Sequence, residues 1–155
     1  IGDMPPVLLA LKAVLHIDNG TQTRAIPVSE FFTGYRQTAL GKGEWLSDIE
    51  IPYLTANELV AAYKISKRME DDISAVCAVF NVTLNDGKVE HVSTGFGGVA
   101  ATPVSCEALN SALKFSMNKL EIIWIRYSYP HFSHNIWHGW THSSTVFGIL
   151  FFDFR

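Results

Sequence analysis

The apolar residues near the start of the chain are spaced as a short helix. Pro5-Pro6 precedes an apolar run at residues 7–11, which places proline in the first helical turn. Residues 13–17 then read as a strand that stops at Asp18-Asn19-Gly20. Asn-Gly favours a two-residue hairpin turn, so residues 21–27 are the expected antiparallel partner. Ser29-Glu30-Phe31-Phe32 predicts a capped helical turn, Gly41-Lys42-Gly43 a break, and residues 45–51 a strand ending at Pro52. Residues 58–66 predict a further strand. Val76, Val79 and Val82 predict another running through Leu84, which Asn85-Asp86-Gly87 turns so that residues 88–96 return. Gly95-Phe96-Gly97-Gly98 breaks the pattern. Thr102-Pro103 predicts a helix start, with Thr as N-cap and Pro at the first helical position, and the helix continues over residues 107–115. Strands paired by hairpins and followed by helices make the fold class α+β, not a parallel nucleotide-binding sheet.

Composition narrows the function classes. Of 155 residues, 48% are hydrophobic and 17% charged, enough apolar material for a core and unlike a disordered chain. A net charge of -3 gives no reason to expect nucleic acid or an anionic membrane as partner. Cys77 and Cys106 match no metal or redox spacing, so a reduced, cytoplasmic chain is expected. No signal peptide is visible, and the longest apolar runs, near residues 7–11 and 146–152, are too short to span a bilayer. The sequence starts at Ile1-Gly2-Asp3 without a methionine, and is expected to be the middle of a longer protein or a processed piece. Aromatic residues number 8 in the first 114 positions and 11 in the last 41, a shift that marks off the tail.

The charges concentrate in one place. Lys64, Lys67 and Arg68 are followed by Glu70, Asp71 and Asp72, with apolar runs on both sides. Three stretches then converge: Gly2-Asp3-Met4-Pro5-Pro6; Phe31-Phe32-Thr33-Gly34-Tyr35-Arg36-Gln37-Thr38 with Ile49-Glu50-Ile51-Pro52-Tyr53; and Lys67-Arg68-Met69-Glu70-Asp71-Asp72-Ile73. In this order and at about this spacing they resemble the FAD-binding subunit of the molybdenum hydroxylases, and xanthine dehydrogenase most of all. The resemblance covers roughly residues 1 to 112. It implies a relay in which a molybdopterin centre oxidises the substrate, 2Fe-2S clusters pass the electrons, and FAD receives them and reduces NAD. It implies residues 1–53 as the end of an FAD-binding PCMH-type domain. Residues 54–114 would then begin a CO dehydrogenase flavoprotein C-terminal-like domain with an antiparallel sheet and helices. The implied partners are a molybdopterin-binding subunit and an iron–sulfur domain, in a hetero-oligomer.

The resemblance also assigns residues. Asp3 matches an acidic position that contacts the flavin cofactor; on its own it reads as a helix N-cap ahead of Pro5. Leu46 matches a flavin contact and otherwise reads as a core strand residue. Lys64 matches the lysine that approaches FAD, where a lysine at a strand end is ordinarily solvated. Residues 65–75 resemble the loop beside the flavin ring near the NAD site. In that loop Lys67 and Arg68 would favour a reduced, anionic flavin or an approaching dinucleotide, and Asp71 and Asp72 would oppose both. Without the resemblance the same charges form a solvated, salt-bridged turn of little energetic weight. No catalytic residue is expected in the chain. Gly95-Phe96-Gly97-Gly98 lacks the third glycine of a dinucleotide fingerprint and reads as a tight strand-to-helix turn.

The resemblance stops near Lys114, and residues 115–155 form an atypical aromatic and histidine-rich tail, as a shifted frame or fused gene would produce. His131, His134, His138 and His142 share a helical stripe, but the residues between them disfavour a helix and no carboxylate stands by to orient the imidazoles, so no metal site is expected. An aberrant tail predicts exposed Trp137, Trp140 and Phe151. Two other readings compete: the flavin component of another molybdenum hydroxylase oxidising an aldehyde or CO, and a non-catalytic interaction domain that has lost FAD binding.

Overall fold

The computed structural model describes residues 2–68, 73–116 and 148–153, with residues 115, 116 and 148–153 described by backbone alone. The α+β class holds. Helix α1, Met4–Ala10, carries proline in its first turn. Strands β1 (Val14–Asp18), β2 (Thr23–Pro27) and, later in the chain, β5 (Trp45–Glu50) form an antiparallel sheet in the order β2-β1-β5. Between β2 and β5 lie a single 3-10 turn, Val28–Glu30, and a small hairpin of β3 (Phe32–Gly34) and β4 (Gln37–Thr38). Leu8, Ala13, Leu15, Ile17, Val28 and Phe31 make the core of this half.

The second sheet consists of β6 (Glu58–Ser66), β7 (Ser74–Asn85), β8 (Lys88–Gly97) and β9 (Gly148–Asp153), all antiparallel, in the order β8-β7-β6-β9. Helix α1 serves both halves. Leu8 and Leu9 pack into the first core, while Val7, Ala10 and Leu11, spaced three and four apart on another side of the helix, pack with Val60, Ala62, Cys77 and Val79 of the second. The contact with β8 is very close: a Cβ on Gly95 would come 2.0 Å from the Pro6 carbonyl oxygen, and one on Gly97 2.9 Å from the Pro6 ring. Helix α2, Glu107–Ser116, is tied to β8 by a buried polar network in which Thr94 Oγ1 donates to Asn110 Oδ1 at 2.8 Å and accepts from the Cys106 amide at 3.3 Å.

Four local expectations change. The β1–β2 loop has four residues, 19–22, not two, because Asn19 Oδ1 accepts the amides of Thr21 and Gln22, and Asp18 Oδ1 that of Gly20. Phe32–Thr38 contains a hairpin, with Arg36 at φ 56 at its tip. Gly95 and Gly97 are strand glycines kept for close approach of α1; only Gly98, at φ 85, is a turn residue, and a Cβ there would also meet the Ala75 carbonyl oxygen at 2.6 Å. Thr102-Pro103 does not start a helix, because Val104 exchanges backbone hydrogen bonds with Phe96 at 2.8 and 3.0 Å and α2 begins only at Glu107. In the tail, β9 pairs with β6. The four histidines, Trp137 and Trp140 lie outside the described residues, as does the Phe151 side chain. Among the described residues no helix is long and apolar enough to cross a membrane.

Candidate functional site

The N-terminus of α1 meets the ends of β6 and β7, and three polar side chains converge there. Asp3 occupies the N-cap position of α1, yet its side chain makes no capping bond. It turns instead to the second sheet. Lys64 Nζ donates to Asp3 Oδ2 at 2.8 Å, bridging 61 residues of sequence, and Ser74 Oγ donates to Asp3 Oδ1. The Cys77 thiol lies 3.7 Å from the Asp3 backbone carbonyl. Lys64 pairs across the ladder with Cys77, and Ser66 with Ser74, so register alone gathers these groups at one end of the sheet.

The electrostatics follow from the geometry. Partial burial pushes the Asp3 carboxyl up, but the Lys64 and Ser74 hydrogen bonds and the Lys64 charge together outweigh it and hold the pKa below the ordinary value. Burial, aided by the Asp3 charge and opposed by that of Lys64, pushes the Cys77 thiol up, which favours its neutral form. The Asp3 side chain is 40% exposed and that of Lys64 17%, so the carboxylate keeps acceptor capacity toward solvent while its cation is largely enclosed.

The other expected residues are placed separately. Leu46 stands on β5, paired with Ile17, and Ile49 is paired with Leu15. Both therefore extend the buried face of β1 to the sheet edge, where they are 37% and 42% exposed. Lys67 and Arg68 follow β6 and are exposed, and the Arg68 carbonyl accepts from Ser66 Oγ at 2.5 Å. Asp71 and Asp72 lie outside the described residues. Charge and motif do not point to Ser74. Only the β6–β7 register identifies it.

These groups fit a flavin nucleotide. An ionised, outward-facing carboxylate accepts from hydroxyl or N–H donors, a lysine suits carbonyl or phosphate oxygens, and an uncovered apolar edge suits a ring system.

Residues 1–54 match the FAD binding domain in molybdopterin dehydrogenase, and residues 61–117 the CO dehydrogenase flavoprotein C-terminal domain. The chain belongs to this FAD-binding family of the molybdopterin dehydrogenases. It is 41% identical over 119 residues to the nicotinate hydroxylase of Emericella nidulans, covering 74% of this chain and 9% of that protein. It is 34% identical over 140 residues to the xanthine dehydrogenase of Dictyostelium discoideum, covering 79% of this chain and 10% of that protein. The carbon monoxide dehydrogenase of Hydrogenophaga pseudoflava superimposes with a TM-score of 0.68 at 26% identity, over 76% of this chain and 40% of that one. The chain thus spans about a tenth of the length of the curated relatives it matches.

Proposed function

We propose that the chain forms one wall of the FAD site in a molybdenum hydroxylase of the xanthine dehydrogenase kind. The observation that carries this reading is the Asp3–Lys64 pair. Two residues 61 positions apart, each expected to touch the cofactor, stand 2.8 Å from one another, and Asp3 forgoes the helix cap that would otherwise account for it. FAD, when bound, would collect single electrons from iron–sulfur clusters and deliver them in pairs, as a hydride, to NAD. Asp3 binds and orients donors of the cofactor, Lys64 holds that carboxylate ionised, and Leu46 with Ile49 excludes water from the apolar face of the edge strand β5. Lys67, Arg68, Asp71 and Asp72 set the charge that an approaching dinucleotide meets. The molybdopterin and 2Fe-2S centres belong to partner domains or subunits of a cytoplasmic hetero-oligomer, and the division near residue 54 separates the two parts of the flavin component.

Identity to a nicotinate hydroxylase, at 41%, supports a second reading in which the same flavin wall serves an enzyme oxidising a nitrogen heterocycle other than a purine. Anaerobic flavin bleaching of the complete enzyme separates the two: xanthine bleaches it on the first reading, nicotinate on the second, and bleaching by neither contradicts both. The role of the loop charges is tested by Arg68→Ala and Asp71→Ala in the complete enzyme, which are expected to shift the NAD reaction in opposite directions; identical, unchanged kinetics in both contradict that role. The 155-residue chain alone supplies only one wall and is expected to bind free FAD weakly. Submicromolar affinity by flavin fluorescence contradicts that expectation.

A further inference from the structure

Ser74 is buried at the start of β7, 5% exposed, with its hydroxyl on Asp3 Oδ1. Its backbone is fixed from two sides. It pairs with Ser66 across a register shift in the β6–β7 ladder, and Gly98 sits so close that a Cβ there would meet the Ser74 and Ala75 carbonyl oxygens at 3.1 and 2.6 Å. The two oxygens of Asp3 thus have different holders. Oδ2 takes the ammonium of Lys64, at the end of a long side chain with many rotamers. Oδ1 takes a hydroxyl one bond from a buried Cβ. A carboxylate held by lysine alone can rotate about its own terminal torsion, which is broad. A second, short-armed donor on the other oxygen stops that rotation.

We propose that Ser74 is a positioning residue for the flavin site, fixing the plane of the Asp3 carboxylate so that its remaining lone pairs face the hydroxyl or N–H donors of FAD. This rests on the reading of Asp3 as a cofactor contact. A small hydroxyl does what a second cation would do less well, because it orients the carboxylate without neutralising it.

The test is a double-mutant cycle in the complete flavoenzyme, read as the FAD dissociation constant from flavin fluorescence. Ser74→Ala is expected to weaken FAD about tenfold, the scale of one hydrogen bond to a charged group. Ser74→Thr keeps the hydroxyl and is expected to restore most of the affinity. With Asp3→Asn already in place, Ser74→Ala is expected to add nothing, because its effect runs through the carboxylate. An equal loss in both backgrounds means that Ser74 acts on the fold, and overturns the proposal. Unchanged affinity in the single Ser74→Ala variant overturns it as well. Unchanged affinity in Asp3→Asn strikes the reading of Asp3 itself and takes the proposal with it.

Discussion

The two sheets meet different sides of helix α1 and are finished differently. In the second sheet, Val60, Ala62, Cys77 and Val79 are buried under the helix, and Gly95 and Gly97 let its backbone lie directly on β8. In the first sheet, β1 is buried at Leu15 and Ile17, but every residue of its neighbour β5 is exposed, including Leu46 and Ile49, which share the face of Ile17 and Leu15. Burial of apolar area is the main driving force of folding, so a strand that carries apolar residues on the core-facing side and leaves them wet is a surface kept for something else. The closed sheet is a scaffold. The open edge and the Asp3–Lys64 joint are where a ligand gains most, because each can still form contacts that folding has not used.

That contrast ranks the expected effects of substitution. The largest belongs to the closed side. Gly95→Val must displace the Pro6 backbone and is expected to cost about 3 kcal/mol or more in urea unfolding of the chain; a variant as stable as the parent would show that α1 does not rest on β8. Next comes the polar tie of α2 to β8. Thr94→Val leaves Asn110 Oδ1 and the Cys106 amide without their hydroxyl partner, for a loss of about 1–3 kcal/mol by the same measurement. The open edge should behave in the opposite way. Ile49→Ser is expected to change the stability of the chain by no more than about 0.5 kcal/mol while lowering FAD affinity in the complete enzyme, and a large loss of stability with unchanged FAD binding would reverse the contrast.

The smallest effect lies on the surface of the first half, where Arg24 clamps Glu44 through two hydrogen bonds of 3.0 and 2.8 Å. That guanidinium, with the Gly41 amide, holds the Glu44 carboxyl down at about 2, against an ordinary 4.5. A depressed carboxyl stabilises the fold above its unfolded value and loses that contribution as pH falls through its folded one. The stability difference between the parent and Glu44→Gln is therefore expected to be full above pH 4.5 and to vanish toward pH 2, as followed by acid titration of thermal unfolding. A difference that does not change over that range contradicts the clamp.

Much of the scaffold was legible in local pattern. The β-branched runs and the turn at Asn85-Asp86-Gly87 place β7 and β8, and residues 58–66 coincide with β6. What local pattern missed was decided at long range. Thr102-Pro103 carries a sound capping signal, but Val104 is taken by Phe96 before a helix can start. The hairpin at Phe32–Thr38 has strands of three and two residues, too short for a period to register. At the site, Asp3 and Lys64 were found through a resemblance and not through spacing, because nothing local joins residues 61 apart. Apart from the resemblance, which makes it a flavin contact, Leu46 reads from sequence as a core residue, and its exposure comes from β5 being the edge of its sheet. Ser74 had no signal, since a serine at a strand start is ordinary until the register places it beside a carboxylate.

Whether the joint between α1 and the second sheet is a wall of the FAD site is read from the FAD dissociation constant of the complete enzyme carrying Asp3→Asn. Asparagine keeps the volume of the side chain and removes the charge that Lys64 and Ser74 hold in place. FAD affinity is expected to be at least about tenfold weaker at neutral pH, with the enzyme still folded and its subunits still assembled. FAD affinity equal to that of the parent, in a folded variant, contradicts it.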